Sequence, residues 1–333
     1  MANDYPKERL EVLVVDGMSE DGTRDVLAEY RGRYPHIKVL DNPGREQQVA
    51  LNIAITSATG DVIMRMDAHS TYKDNYISEC VRALRDYPAD NVGGRWITVS
   101  REKTLVGRAI CFATSVFFGV GNAYYRLMSL TGNGPAVREP KWEINVAYFC
   151  CRKEVFDTIG LFNERLDRSE DIDFRWRLRR AGYRTLFVPS IECYYLMRTK
   201  YFEFVKHMFR NGLWVLLPLT HAPNVSFSLR HVVPLCFVLA LAAGTALSVV
   251  TTLGLRVLEV GLASYLLLNV YFSLRIAMRE RDPKYVFVLP FIFLSLHLSY
   301  GVGSSVGLAR LIGSRLARLW RRPSKDSPAE RRC

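Results

Sequence analysis

The chain has 333 residues, 49 % of them hydrophobic and 23 % charged, with a formal net charge of +12. It is too apolar for a disordered chain and long enough for one large domain or two smaller ones. Residues 231–333 hold 13 Lys and Arg against 5 Asp and Glu, beside long apolar runs, so the basic excess belongs with a membrane surface and argues against nucleic acid as a partner.

Strand and helix signals alternate through the first 190 residues. Residues 10–15 predict a buried strand, 21–30 a helix, 37–40 a short strand, 45–56 a helix and 61–66 a third strand. A helix over 74–87 and a strand over 92–99 follow, then a less regular stretch to about Pro140. Residues 143–150, the helix that starts near Glu170 and a strand over 184–188 complete an α/β unit with a Rossmann-like, mainly parallel sheet. In such sheets ligands gather beyond the carboxyl ends of the strands.

Two acidic residues sit at such ends. Asp16 closes the first strand and opens the loop Gly17-Met-Ser-Glu-Asp-Gly-Thr, where a carboxylate can accept a hydrogen bond from a base or a sugar. Asp67 closes the third strand, with His69 two residues on. Oxygen and imidazole at that spacing suit one divalent ion such as Mn²⁺, although turns are rich in both residue types. Arg45, after Asn42-Pro-Gly, is either a phosphate contact or a solvated helix-start arginine. Gly93-Gly94-Arg95-Trp96 and Gly132-Asn-Gly-Pro read as loops near a ligand or as plain turns, and the aromatic stretch 117–125 is too short to span a bilayer.

Glu170 and Asp171 fall in the first turn of an amphipathic helix, with Ser169 as the expected N-cap and Gly182 just past the helix end. Helix-start acids are favoured by the dipole alone. Their weight as a reactive pair comes from the other signals that accompany them in order along the chain. Arg210 and Trp214 lie at i and i+4 on one helix face, suited to a ligand or equally to a membrane boundary.

Three apolar runs follow, at 232–255, 257–274 and 285–308, each near the ~20 residues that cross a hydrocarbon core as helix. The expected organisation is therefore a polar domain over 1–228, a membrane region over 229–309 with about three helices, and a basic tail over 310–333. With no leader-like segment before the first strand, the polar domain is expected in the cytosol of a multi-pass inner-membrane protein. Three spans would then put the arginine-rich tail outside, against the positive-inside tendency. Either the third segment is re-entrant or interfacial, or the rule fails here; Pro290, Gly301, Gly303 and Gly307 fit a broken or a closely packed helix. The seven cysteines show no Cys-x-x-Cys spacing and read as reduced core thiols.

Over residues 5–215 these motifs resemble the family 2 glycosyltransferases, whose nucleotide-sugar domain has the GT-A fold. The resemblance is carried by Val14-Val-Asp-Gly-Met-Ser-Glu-Asp-Gly-Thr, by Ala50-Leu-Asn with Ala58-Thr-Gly-Asp-Val-Ile-Met-Arg-Met-Asp-Ala-His, by Ile159-Gly-Leu-Phe-Asn-Glu with Glu170-Asp171, and by Arg210-Asn-Gly-Leu-Trp214. With the apolar C-terminal segments it is similar to bacterial exopolysaccharide glucosyltransferases of the succinoglycan type. The resemblance implies that Asp16 contacts the uridine of a UDP-sugar and Arg45 its phosphate. It places Asp67 and His69 at Mn²⁺ or Mg²⁺ and the diphosphate, Asp171 as general base with Glu170 as a positioning neighbour, and Arg210 and Trp214 at the diphosphate and the acceptor sugar. The implied acceptor is a lipid-linked saccharide at the membrane, with polysaccharide-assembly proteins as further partners. Transfer to polyprenyl phosphate, or a glycan-binding membrane scaffold without turnover, are the alternatives. Two departures stand out. His69 occupies a position where the family usually has an acid, and the chain opens on the segment leading into the family's second strand, so the domain is expected to be N-terminally incomplete with an exposed sheet edge.

Overall fold

The structure is a computed structural model that describes residues 3–128, 137–143, 145–166, 168–197, 200–220 and 228–320. The 132–135 loop and Arg321 and Arg322 of the basic tail lie outside the described residues. The α/β part runs β1 (Val12–Asp16), α1 (Thr23–Arg33), β2 (Ile37–Asp41), α2 (Gln47–Ser57), β3 (Val62–Met64), β4 (Ser70–Tyr72), α3 (Tyr76–Asp86), β5 (Asn91–Ser100), α4 (Leu105–Ala113) and α5 (Phe117–Val120). It continues through β6 (Lys141–Trp142), β7 (Cys150–Arg152), α6 (Glu154–Ile159), α7 (Glu170–Arg180), β8 (Thr185–Met197) and α8 (Tyr201–Leu216). Three long helices close the chain: α9 (Leu229–Val250), α10 (Thr252–Glu280) and α11 (Lys284–Trp320).

The sheet is mixed where the alternation predicts mainly parallel strands. Among the described residues β1 and β2 form a parallel pair by themselves, and a second sheet has the order β3-β7-β5-β8-β4, with β6 also on β8. Its central β5–β8 pair is parallel, whereas β3–β7, β5–β7, β4–β8 and β6–β8 are antiparallel. A parallel neighbour needs a crossover of a dozen or more residues. Each antiparallel pair also has at least one helix between its strands in the chain, so the alternation of strand and helix does not set their direction, and strands of two or three residues leave no alternation to read.

Among the described residues β1 pairs with β2 alone and β3 with β7 alone. Helix α2 lies over both: it packs on β1 and sends Ile55 and Leu51 to Ile63 and Phe149. Glu11 ties the two sheets further by accepting from the Thr59 amide at 2.8 Å.

The sheet core lies against α3, where Tyr76, Cys80 and Leu84 meet Val92, Leu186, Ile191 and Cys193. Phe149, Phe156, Phe162, Phe174 and Leu178 form a second cluster under α6 and α7. Fully burying one such side chain stabilises the fold by about 1.5–3 kcal/mol, and Phe174 is 1 % exposed, so α7 is held firmly from below. Cys80, Cys111, Cys150, Cys151 and Cys193 are buried free thiols, as expected.

A third cluster joins the α/β part to the long helices. Ala109, Ile110 and Ala113 of α4 and Phe204 and Met208 of α8 pack against Ile276 of α10 and Tyr285, Leu289, Phe293 and Leu296 of α11. From the aromatic stretch, Phe118 stacks on Phe272 at 5.2 Å and enters this core.

The long helices α9, α10 and α11 are long and apolar enough to cross a membrane. The first break falls at Thr251, earlier than the apolar runs suggest. Thr251 is extended and its hydroxyl caps α10 by accepting from the Gly254 amide at 3.0 Å. Arg256 does not end the helix, because Glu259 pairs with it one turn on at 2.8 Å. Helix α11 runs unbroken through Pro290, whose carbonyl accepts from Asn269 Nδ2 at 3.1 Å. Its small residues serve close packing instead: a Cβ on Gly303 would lie 2.1 Å from the Phe209 carbonyl oxygen of α8, and one on Gly301 2.3 Å from that of Pro234 in α9.

Candidate active site

The structure brings Asp67, Glu170 and Asp171 to one cavity of about 180 Å³. Its other walls include Arg65, Trp96, Tyr148, Phe174 and Arg175. Trp96 reaches it because the Gly93-Gly94-Arg95-Trp96 segment is strand β5, not a turn. A bulge lies between Gly93 and Arg95, where a Cβ on Gly94 would lie 1.8 Å from the Ile191 carbonyl oxygen of β8.

Asp67 follows β3 in a turn, its amide donating to the Tyr72 hydroxyl at 2.6 Å. Arg65 grips its carboxylate with both arms, Nε to Oδ1 at 2.7 Å and Nη2 to Oδ2 at 3.0 Å. The remaining nitrogen of Arg65 donates to Glu170 at 3.3 Å. One buried guanidinium therefore links the β3 turn to the start of α7. Burial opposes its charge, but Asp67 and Glu170 outweigh that and hold the cation.

Helix α7 places the acids. Ser169 is not a side-chain cap: its φ is +67°, its carbonyl accepts from the Ile172 and Asp173 amides at 3.1 Å, and its hydroxyl donates to the Trp214 carbonyl at 3.2 Å. The left-handed backbone of Ser169 turns its hydroxyl toward α8, which a sequence pattern of cap residues does not encode. At the other end Gly182 has φ +86°, and the Gly182 and Tyr183 amides close onto the carbonyls of Arg179 and Leu178 at 3.1 Å each, as the glycine predicts.

The adjacent carboxyl groups are shifted in opposite directions. Burial and the Asp171 charge push the Glu170 carboxyl up, and Arg65 only partly offsets them. Burial also acts to raise Asp171, but Arg175, one turn on and bound to it, together with Arg65 holds it below the usual carboxylate range. Splitting two neighbouring acids in this way leaves Asp171 the anion at neutral pH. Arg175 is itself fixed by Asn145 at 2.6 Å.

His69 lies alongside Asp67, Nε2 to Oδ2 at 3.9 Å. Each Asp67 oxygen spends one lone pair on Arg65 and keeps another. A carboxylate and an imidazole fit a hard or borderline divalent cation that completes its shell with substrate phosphate. Among the described residues no cluster of three or more His, Cys, Asp or Glu forms a complete protein cage.

The other predicted residues lie outside the cavity lining. Asp16 is buried at the end of β1, and Ser19 binds both its oxygens, hydroxyl at 2.6 Å and amide at 3.0 Å, which holds the carboxyl below its ordinary range. Arg45, at φ +58°, leans over the same loop and pairs with Glu20 at 3.4 Å. Trp214 adjoins α7 through Ser169, while Arg210 is exposed on α8. Arg65, Arg175 and Tyr148 line the cavity without having been singled out from the sequence, and Trp96 lines it from a strand in place of the expected loop or turn. Arg65 was signalled as a charge set between Met64 and Met66 two residues before Asp67, and Arg175 by its i+4 spacing from Asp171.

Comparison with known proteins gives a match to the family model described as glycosyl transferase family 2 over residues 2–160. The succinoglycan biosynthesis protein ExoA of Rhizobium meliloti is 32 % identical over 229 residues, covering 64 % of this chain and 66 % of that protein. The probable glycosyltransferase YdaM of Bacillus subtilis is 27 % identical over 56 % of this chain and 43 % of its own length. A Methanococcus voltae dolichyl N-acetyl-alpha-D-glucosaminyl phosphate 3-beta-D-2,3-diacetamido-2,3-dideoxy-beta-D-glucuronosyltransferase is 24 % identical over 90 % of this chain and 88 % of that protein. The chain thus spans about two thirds or less of the length of the first two relatives. It carries a family 2 glycosyltransferase domain.

Proposed function

We propose that this chain is a membrane-bound inverting glycosyltransferase that moves a hexose, glucose, from a UDP-sugar to a lipid-linked saccharide in exopolysaccharide or cell-envelope glycan synthesis. One observation carries this reading: Asp67, next to His69, and the anionic Asp171 face the same cavity, joined through Arg65 and Glu170. The relatives named for succinoglycan biosynthesis and for transfer to a dolichyl-phosphate-linked sugar support the acceptor class.

In this reading Asp16 and Arg45 hold the nucleotide, and Asp67 and His69 hold a divalent cation, Mn²⁺ or Mg²⁺. When bound, that ion supplies positive charge against the departing diphosphate. Asp171 accepts the proton of the acceptor hydroxyl as its oxygen bonds to the anomeric carbon and the bond from that carbon to the UDP oxygen breaks. One in-line displacement inverts the carbon and gives a β-linked product from an α-linked donor. Glu170 and Arg65 fix the two acids relative to one another, and Trp214 and Arg210 flank the acceptor. The α/β domain lies on the cytoplasmic face, and α9 to α11 anchor it in the inner membrane.

Asp171→Asn tests the reading, since it keeps shape and removes the base. Transfer from UDP-[¹⁴C]glucose to membrane lipid should fall by about 10²–10⁴-fold, the typical worth of a general base. Undiminished transfer would overturn the base assignment and favour an acceptor phosphate that is already ionised.

A further inference from the structure

Arg126 and Arg230 lie outside the lining of the cavity described above. Arg126 follows the aromatic stretch, its guanidinium carbon 4.4 Å from the Trp96 ring centre and 5.5 Å from that of Tyr125. Arg230 is the second residue of α9 and packs on Gly121, where an added Cβ would lie 2.7 Å from the Arg230 Cβ. Its Nε donates to His231 Nε2 at 3.2 Å, while its Nη1 is buried with no hydrogen-bond partner among the described residues.

Arg126 lies over the buried Tyr125, and the charges of Arg230 and Arg175 act on it as well. Burial pushes the Tyr125 phenol up, yet Arg126, Arg230 and Arg175 together outweigh it. Of the three arginines only Arg175 is matched by a carboxylate, Asp171. Among the described residues no Asp or Glu lies within ion-pair distance of Arg126 or Arg230. A guanidinium does not escape burial by losing its proton, so a half-buried cluster with two unmatched cations calls for an anion from outside.

We propose that Arg126, Arg175 and Arg230 bind the phosphate or diphosphate ester that heads the lipid carrying the acceptor. This deepens the transfer reading and rests on it. Oxyanion recognition by several guanidiniums is the shared chemistry, and two sources offer it: a lipid headgroup and the donor diphosphate. The lipid is favoured by position. Arg230 lies in the first turn of the first helix able to cross a membrane, and Arg175 on the Asp171 side of the cavity, whereas neither Arg126 nor Arg230 lines the cavity that holds Asp67. A headgroup seated here would bring the sugar that follows it to Asp171 and leave its chain beside α9.

The test is binding of polyprenyl diphosphate in mixed detergent micelles to the purified full chain without donor, with uncharged polyprenol and UDP measured in parallel. The wild type should bind the diphosphate and not the polyprenol. Arg126→Gln and Arg230→Gln should each weaken it tenfold or more with UDP affinity unchanged within twofold, and the lysine variants should fall between. Unchanged polyprenyl diphosphate binding in the glutamine variants would overturn the proposal, as would an equal loss of UDP binding. If those variants do not fold, the wild type decides: excess UDP that leaves polyprenyl diphosphate bound supports the site, and competitive displacement overturns it. Because no transfer is read, a wild type that binds the lipid but transfers no sugar would sink the reaction reading alone. Intact transfer with glutamine variants that bind normally would sink this inference alone.

Discussion

Asp171 and Glu170 are neighbours in the chain with opposite electrostatics, and Arg175 is the residue that separates them. The groups acting on Asp171 are Arg175, Arg65, Glu170 and His231, and their balance holds it below the usual carboxylate range. In the proposed reaction Asp171 acts as the anion, so the acid limb of the transfer rate should lie below the ordinary Asp value of about 3.9. Arg175→Gln removes the first of the lowering charges and should move that limb upward by about one unit or more, the usual effect of an adjacent arginine. Initial rates against pH check this; an unmoved limb would mean that Asp171 is not the titrating base. Much of this site was legible because its signals are local. Asp67-Ala-His is three residues, and Asp171 and Arg175 are one helical turn apart. Arg65 to Glu170 spans 105 positions, and Arg230 meets Tyr125 only in the fold, so no spacing rule reaches either pair.

Helices α8 and α11 decide how the site meets the apolar helices. Gly303 and Gly307 of α11 lie against the Phe209 and Leu213 carbonyl oxygens of α8, and Gly212 of α8 lies against that of Tyr300. Gly303→Ala should therefore overpack the crossing by about 1–3 kcal/mol, a drop in Tm of about 2–4 °C per kcal/mol for a chain of this size. Gly313→Ala has nothing within 4 Å and should be neutral or slightly stabilising, since alanine is the better helix former. Thermal unfolding in detergent compares the two; equal shifts would contradict the close crossing. The apolar runs made these helices legible, but not their ends. Thr251 breaks α9 from α10 by capping, inside a run that hydropathy reads as continuous. Strand β8 extends to Met197, well past its readable 184–188 portion: residues 188–191, with Pro189, drop out of the β5 register, and Glu192 resumes it opposite Arg95.

The molecule is an α/β domain of the GT-A type packed onto three apolar helices through α4 and α8. Cluster packing of α4 and α8 on α10 and α11 means that the acids of α7, reached through Ser169 and Trp214, are set by the long apolar helices as well as by the sheet. Chain order and the alternation of strand and helix made this layout legible. The mixed strand directions were not, since β4, β6 and β7 are too short to show a period. The central claim is that Asp67 and Asp171 address one sugar. An experimental structure of the full chain with UDP-glucose tests it most directly. The account predicts the diphosphate at Asp67 and His69, with the hexose in the cavity between Trp96, Tyr148 and Asp171. A UDP-glucose that occupies another cleft, with Asp171 turned away from its anomeric carbon, would contradict it.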